Sequence, residues 1–393
     1  MSDLLYLSIQ YIRYHSKKLF ALILAITLVS WLPIGIQSIV NQTADQLLSR
    51  AEQTPLIIGA SGSPLELSLG SLYFRSHPAS NLNYSELQKV EEGGLATAIP
   101  LYFRFHAQGH PIVGTSPDYL DYRKLRFSSG RPMALLGEAI LGAEVARVTG
   151  LKVGDYIISS PESVFDIAGV YPLKMPVVGI LVPSLSPDDK AVFVDIKTSW
   201  VIEGLGHGHQ DLNNKKASRQ ILKKEGNNIV ANASVRQYNE ITKNNLESFH
   251  FHGNNDTHPL SAIIPIPKDK KSSTLLLGRY LEENKDTQIV RSKKVIGELL
   301  DTVFTVRDYI VIGVFIIALS TAAIALLVFY LSLQLRQAER FTLSHIGAGR
   351  IQIYCLMATE VITVLLISVG LSALLTLGTQ HFGIQLLQTL LLT

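Results

Sequence analysis

Three long runs of apolar residues divide the chain. Residues 19–40 and 309–333 contain no charged residue, and residues 351–378 contain only Glu360. A helix of about 20 apolar residues is long enough to cross the roughly 30 Å hydrocarbon core of a bilayer. The pattern therefore predicts three transmembrane helices, with a long polar stretch, residues 41–308, between the first and the second.

Basic residues next to these runs predict the orientation. They lie before the first run and between the second and the third: Arg13, Lys17, Lys18, Arg336, Arg340 and Arg350. Short segments rich in Arg and Lys stay in the cytoplasm, so residues 41–308, one crossing away from each, are predicted to lie outside. That stretch holds as many acidic as basic residues, so the net charge of +3 comes from the membrane flanks. The charge therefore does not indicate a nucleic-acid partner.

The polar stretch is predicted to contain both strands and helices. Apolar or alternating runs bounded by Pro and Gly predict strands at residues 54–59, 65–75, 98–106, 110–115, 156–159, 177–182, 190–196 and 262–267. Helical spacing predicts helices at 138–150, 271–285 and 289–307. Pro265 favours an edge position for its strand, because proline cannot donate to a ladder. The fold expected is an α-helical membrane anchor with a large α+β extracytoplasmic domain inserted between helices 1 and 2.

This prediction divides the chain into seven segments. They are a cytoplasmic amphipathic helix (1–18), the first span (19–40), the extracytoplasmic domain (41–308), the second span (309–333), a cytoplasmic loop (334–350), the third span (351–378) and an interfacial C-terminal segment (379–393). The only cysteine, Cys355, lies in the third span, so no disulfide staples the domain. The domain must be held by its own apolar core.

Two pairs of histidines at His-x-His spacing are candidate metal ligands. His207 and His209 lie in GLGHGHQD, and His250 and His252 lie in FHFHGNNDTH. Residues two apart on a strand point to the same side, so both rings of a pair can approach one ion. Nearby residues that could complete a site, with zinc as the first choice, are Asp211, Asp256 and His258. The alternative is that these are ordinary polar residues of loops and core edges.

The sequence lacks the pattern by which many proteins bind ATP. A phosphate-binding loop needs Gly-x-x-x-x-Gly-Lys-Ser/Thr, and no such string is present. The chain is therefore not expected to bind or hydrolyse ATP, nor to be an enzyme. Glu360 is a different candidate, because a carboxylate inside the bilayer is costly and often functional. A role in helix packing or in a dimer contact is the alternative.

Two segments resemble the permeases of MacB/FtsX-type ABC transporters. Residues 138–158, EAILGAEVARVTGLKVGDYII, are similar to a pattern in the outer domain of that family, with matches at Gly142, Ala146, Gly150, Leu151, Gly154 and Asp155. The segment LRQAERFTLSHIGAGR resembles the family's connection between two membrane helices, with matches at Arg336, Glu339, Leu343, Gly347 and Ala348. The order of the apolar runs agrees with both.

The resemblance implies a mechanotransmitting subunit. A separate cytoplasmic P-loop ATPase would hydrolyse ATP, and the extracytoplasmic domain would move in response to export or hand over a substrate. The ATPase would couple through Arg336, Glu339, Arg340, Leu343, Gly347 and Arg350. The resemblance further implies a bacterial inner-membrane location with the domain in the periplasm, a homodimer or paired permease, and a periplasmic adaptor or substrate-binding partner.

One feature departs from the family, and other functions stay open. Family members usually have a fourth membrane helix, whereas residues 379–393 are too short to cross back. They are expected to form an interfacial helix on the outer side, and the alternative is that a final membrane helix is missing. The alternatives are a membrane-anchored periplasmic sensor or scaffold without an ATPase, a zinc-linked transport component that uses the histidines, and a hydrolase with a histidine–carboxylate metal centre.

Overall fold

The structure is a computed structural model that describes residues 10, 13–14, 16–75, 80–160, 172–208, 221–225, 228–231, 239–282, 286–335, 337, 341–342, 345 and 349–390. The chain forms two compact units. The helical unit comprises Met1–Ser49 and Gly297–Thr393, and the sheet domain comprises Arg50–Ile296.

The described helices and strands alternate irregularly along the chain. The helices are α1 (Ser16–Gln53), α2 (Pro64–Tyr73), α3 (Tyr84–Glu92), α4 (Asp118–Tyr122), α5 (Ala143–Thr149), α6 (Ile196–Glu203), α7 (Lys270–Glu282), α8 (Ser292–Leu335) and α9 (Arg350–Leu390). The strands are β1 (Leu56–Ala60), β2 (Leu82–Asn83), β3 (Ala96–Tyr102), β4 (His106–Ala107), β5 (His110–Thr115), β6 (Phe127–Gly130), β7 (Ala139–Leu141), β8 (Tyr156–Ile158), β9 (Lys174–Leu181), β10 (Val192–Asp195), β11 (Gly206–Gly208), β12 (Ile221–Glu225), β13 (Asn228–Ala231), β14 (Phe249–Phe251), β15 (Pro259–Leu260), β16 (Ala262–Pro267) and β17 (Thr287–Arg291).

Within the described residues, three helices are long and apolar enough to cross a membrane. The stretches that meet this criterion are residues 19–53 of α1, 292–331 of α8 and 361–381 of α9. Helices α1 and α9 are joined by polar bonds: Thr27 Oγ1 lies 3.4 Å from the Ser368 carbonyl oxygen, and Trp31 Nε1 donates to Thr379 Oγ1 at 3.0 Å. Lipid tails are as apolar as leucine, so packing and such bonds, rather than hydrophobicity, hold membrane helices together.

Helix α9 is longer than the span expected from the sequence. It runs for 41 residues from Arg350 to Leu390 with no interruption at residue 378. At 1.5 Å per residue it measures roughly 61 Å, about twice the thickness of a hydrocarbon core. The proposed interfacial segment is therefore a continuation of the third membrane helix through Leu390, and its location at the interface stays a prediction.

The sheet domain is built on one mixed sheet. The strand order is β17-β1-β16-β3-β5-β10-β7-β9-β6, with β4 added to β5 and β8 added to β9. Most neighbours are antiparallel, while β10 runs parallel to β5 and β9 runs parallel to β7. Three two-stranded ribbons are separate from it: β11 with β14, β12 with β13, and β2 with β15. Helices α2 to α7 belong to the same unit, so the α+β class expected from the sequence is confirmed.

The core of this domain lies on both faces of the central strands. In β10 the consecutive residues Val192, Phe193 and Val194 are all 0% exposed. A strand buried on both faces shows a continuous apolar run instead of alternation. Strand β9, nearer the sheet edge, alternates buried and half-buried positions instead.

Helix α2 covers Pro64–Tyr73, so the strand predicted at residues 65–75 is wrong. The side chain of Ser63 caps α2 by accepting from the Glu66 backbone N–H at 3.3 Å, and Pro64 occupies the first turn. Both are start signals for a helix. The leucines are spaced two and three residues apart, which fits both a strand and a helix. The capping signal is what indicates the helix.

The predictions for 138–150, 262–267 and 289–307 were right only in part. Residues 138–150 contain β7 before α5, and residues 289–307 begin in β17 before α8 starts at Ser292. Strand β16 matches residues 262–267 but is an inner strand. Pro265 is tolerated there because β1 contacts β16 only at the Ile58–Ile263 pair, so the proline lies beyond that short pairing.

Candidate functional site

Two long helices end and begin at neighbouring strands of the sheet domain. Only Thr54 and Pro55 separate α1 from β1, and α8 starts directly after β17. Strands β1 and β17 pair antiparallel over their full lengths. At the end of this pair, the Ser292 N–H donates to the Pro55 carbonyl at 3.2 Å, and Lys293 Nζ lies 2.6 Å from Glu52 Oε1.

The last turn of α1 lies inside the sheet domain and is held there by a buried cluster, Arg50, Tyr119 and Asp188, here called the arginine cluster. Arg50 donates to both Asp188 carboxylate oxygens, at 2.7 and 2.9 Å, in a two-pronged arrangement. Its Nε donates to the Leu72 carbonyl at 2.6 Å. The Tyr119 hydroxyl donates to Asp188 Oδ1 at 2.7 Å. Residues from α1, α2, α4 and the turn before β10 therefore meet at one guanidinium.

Each charged group of the arginine cluster stabilises the ionised form of the other. Burial alone would raise the pKa of the Asp188 carboxyl, but the Arg50 guanidinium outweighs it and keeps that pKa below its ordinary value. Burial, reinforced by the Asp188 carboxylate, raises the pKa of Tyr119 to about 12. At neutral pH the cluster therefore contains one buried ion pair and a neutral tyrosine that donates to it.

A second group of side chains lies on the β11–β14 ribbon. His207 of β11 stands opposite His250 of β14, and His252 follows the same strand. The ring centroids lie 4.9 Å apart for His207–His250, 4.7 Å for His207–His252 and 4.9 Å for His250–His252. One ring nitrogen from each lies within 4.8 Å of the others. We call this group the histidine triad.

Glycines and phenylalanines set which way the triad faces. Side chains alternate along a strand, so Phe249 and Phe251 point away from His250. A Cβ on Gly206 would lie 2.7 Å from the Phe251 ring, and one on Gly208 would lie 2.6 Å from the Phe249 ring. The rings therefore use the space that the glycines leave, and Phe251 meets Trp200 of α6 with centroids 6.3 Å apart.

The histidines of the triad are accessible and their orientation is supported by the backbone. His250 and His252 are exposed and His207 is half-buried. His250 Nδ1 lies 3.2 Å from the Ser248 carbonyl oxygen, which can only accept a hydrogen bond. That contact therefore places the proton on Nδ1 and the lone pair on Nε2. The His252 N–H donates to the Leu205 carbonyl at 2.9 Å, which fixes His252 beside β11.

The structure places the other candidate ligands elsewhere or does not describe them. His258 is 2% exposed and stacks on Trp200 at 4.6 Å, with Nε2 3.3 Å from the His252 carbonyl oxygen. Asp256 accepts from Gln88 Nε2 at 3.2 Å. His209 and Asp211 lie outside the described residues. Among the described candidates, His207, His250 and His252 are thus the three that come together.

The candidate coupling residues belong mostly to a part of the chain that the structure does not describe. Those outside the described residues are Arg336, Glu339, Arg340, Leu343, Gly347 and Ala348. Arg350 is the first residue of α9, and Glu360 lies within the same helix. Their coupling and membrane roles stay predictions.

The arginine cluster was not predicted from the sequence. The signal available was weak: Arg50 is the one basic residue between Lys18 and Arg75, and it lies near the end of a helix. Asp188 sits in the polar turn SPDDK, where an acidic residue attracts no notice. Nothing in a single sequence indicates that two residues so far apart form a pair.

Comparisons with known proteins give distant structural likenesses. No protein-family model matches the chain, and no curated protein matches it. The periplasmic region of MacB from Actinobacillus actinomycetemcomitans is 12% identical with a TM-score of 0.34, and the match covers 62% of this chain and 91% of that one. The extracellular domain of the noncanonic ABC-type transporter YknZ from Gram-positive bacteria is 11% identical with a TM-score of 0.31, covering 60% and 98%. Because the identities and the TM-scores are both low, neither likeness indicates a function for this chain.

Proposed function

We propose that this chain is the permease subunit of an ABC transporter of MacB/FtsX type. A separate cytoplasmic ATPase would hydrolyse ATP, and this chain would pass the resulting movement to its sheet domain on the outer side of a bacterial inner membrane. The domain would then export a substrate or hand it over. The chain itself would be non-catalytic and would act as a homodimer or with a paired permease, in contact with a periplasmic adaptor or substrate-binding protein.

One observation carries this proposal: the long helices α1 and α8 continue directly into two paired strands. No flexible linker separates either helix from the sheet, and the arginine cluster fixes the last turn of α1 to three other elements. A membrane anchor needs only to tether its domain, and a loose linker serves that purpose. A joint in which helix ends are fixed by a buried ion pair and a strand ladder is suited to transmitting displacement.

Three further features support the proposal. The basic segments flanking the apolar runs favour a cytoplasmic 334–350 segment, where an ATPase can dock. That segment resembles the coupling connection of the family, and residues 138–158 resemble its outer-domain pattern. The sequence contains no phosphate-binding loop, which is consistent with ATPase activity on a partner.

Affinity purification of the full chain from its own membranes tests the proposal. We expect a P-loop ATPase to be recovered with the wild-type chain and to be lost when Arg336, Arg340 and Arg350 are replaced together by alanine. Replacing Arg126 and Arg147, which are exposed arginines of the sheet domain, serves as the control and should leave recovery unchanged. Recovery of the chain with no ATPase under any mild extraction would favour the sensor or scaffold function instead.

A further inference from the structure

We propose that the histidine triad binds one divalent transition-metal ion, with Zn²⁺ as the preferred occupant. The proposal is independent of the transporter function, because it concerns what the β11–β14 ribbon binds and not what moves the sheet domain. It rests on the three imidazoles of His207, His250 and His252, whose ring nitrogens converge from two strands.

The spacing of the rings is close to that of a metal site. In a tetrahedral site with Zn–N bonds of about 2.0–2.1 Å, the ligand nitrogens lie about 3.4 Å apart. The nitrogens of the triad are already within 4.8 Å of one another. His250 and His252 face solvent, so modest rotations about their side-chain torsions can close the remaining gap without moving the strands.

The surroundings prepare the triad for a cation. The Ser248 carbonyl against His250 Nδ1 directs Nε2 toward the other rings, as the outer hydrogen-bond partner of a metal-binding histidine commonly does. Phe249 and Phe251 occupy the opposite face of the ribbon, against Gly208 and Gly206.

The ligand set determines which ions fit. Imidazole suits Zn²⁺, Cu²⁺, Ni²⁺ and Fe²⁺, whereas Mg²⁺ and Ca²⁺ prefer carboxylate and carbonyl oxygens. None of the three converging residues is a carboxylate. A site with three protein ligands leaves a fourth position for water or for a donor from another molecule. On an exposed ribbon this open position allows the ion to be loaded and released, as in a site that accepts or passes on a metal.

Zinc titration of the purified full chain in detergent, in competition with a chromophoric chelator, tests the proposal. Every protein carries Cys355→Ser, because the thiol of that exposed residue can also bind zinc. We expect one Zn²⁺ per chain, and at least about tenfold weaker binding in each of His207→Ala, His250→Ala and His252→Ala. Binding should also weaken as the solution is acidified, since protonated imidazole cannot be a ligand.

The matched control is His110→Ala, which removes a histidine of β5 in the same domain. It should bind zinc like the parent, and Mg²⁺ should compete in neither protein. Replacement of zinc by Co²⁺ should give visible ligand-field absorption in the parent and in His110→Ala but not in the triple histidine variant. Equal zinc affinity in the parent and the triple variant, or no binding by a correctly folded parent, would overturn the site. Recovery of the ATPase is measured separately, so either proposal can fail without the other.

Discussion

At the scale of single residues, the arginine cluster is where a change should have its largest effect on stability. Arg50 is 7% exposed and Asp188 is 1% exposed, and each supplies the charge that makes burial of the other tolerable. A buried ion pair adds less to stability than its Coulomb attraction suggests, because both ions lose water. Removal of one partner is nevertheless strongly unfavourable, since the other charge stays buried without compensation.

Asp188→Asn keeps the size of the side chain and removes its charge. We expect the free energy of unfolding of the sheet domain to fall by about 3 kcal/mol or more, since Arg50 loses its counter-ion. Denaturant titration of the detergent-solubilised chain, followed by tryptophan fluorescence, measures this. Glu144→Gln breaks the exposed Glu144–Arg147 pair as a control and should cost less than about 1 kcal/mol. Equal losses in the two variants would contradict the assignment.

The same pair predicts an acid sensitivity. The pKa of Asp188 is lower in the folded chain than its ordinary value of 3.8. Its contribution to stability is therefore complete above that ordinary value and is lost as the pH falls through the lower, folded pKa. The stability gap between wild type and Asp188→Asn should narrow as the pH drops below about 4. A gap that stays constant from pH 7 to pH 2 would show that the carboxylate charge is not the cause.

At the scale of elements, the family-like pattern at residues 142–155 has a physical explanation in the link from β7 through α5 to β8. Gly142 lies against the turn before β10, where a Cβ would be 2.3 Å from the Asp188 carbonyl oxygen. Gly150 ends α5 in the left-handed region with φ of 71°, and Gly154 turns the chain with φ of 99°. The Asp155 side chain accepts from the Lys152 N–H at 2.7 Å. The pattern therefore encodes one compact turn unit.

Gly142→Ala should destabilise the sheet domain by more than about 2 kcal/mol, because its Cβ would meet backbone oxygens, which cannot rotate away. Gly278→Ala, inside helix α7, is the matched control, since a Cβ there meets nothing within 4 Å. That control should be neutral or stabilising by up to about 1 kcal/mol. Thermal unfolding of both variants provides the comparison, and the explanation fails if Gly142→Ala unfolds at the wild-type temperature.

How far the sequence predicts these elements depends on how local the deciding interactions are. Strand β16 was predicted with its observed limits, because its apolar run is bounded by Ser261 and a Pro-Lys-Asp turn. The leucines of helix α2 fit both the two-residue period of a strand and the helical period. The capping contact of Ser63 is the local signal that selects the helix. Pairs of residues far apart in the sequence, such as Arg50 with Asp188 or His207 with His250, are brought together only by the folded sheet domain. The sequence alone therefore does not predict them. The histidine spacing predicted which residue types matter, and the pairing of β11 with β14 determined which of them meet.

At the scale of the whole molecule, the chain combines three apolar helices with one large inserted domain. The sheet domain lies between α1 and α8 along the chain, which agrees with the insertion predicted between helices 1 and 2. The basic segments predict which side of the membrane each part occupies. This orientation underlies the proposed function, because an ATPase can act only on segments that face the cytoplasm.

Cysteine labelling in intact cells tests that orientation. In a Cys355→Ser background, Gln108→Cys in the β4–β5 turn should react with a membrane-impermeant thiol reagent once the outer membrane is opened. Gln337→Cys, in the predicted cytoplasmic segment, should react only after the inner membrane is permeabilised. Both positions are exposed in the folded chain, so access to the reagent reports sidedness. The reverse pattern would exclude the proposed orientation.

The way α1 and α8 continue into the sheet also determines how the β1–β17 pair can open. Because β1 and β17 are antiparallel, both helices attach at the same end of the pair, where Leu56 faces Arg291. Forcing the helices apart would peel the ladder open from that end, breaking its bonds one after another at little force. Only forces directed along the strands in opposite directions would load all of the bonds at once. If the chain transmits movement as proposed, a stroke that displaces both helices in the same direction would leave the strand pair intact, whereas a stroke that separates them would open it first.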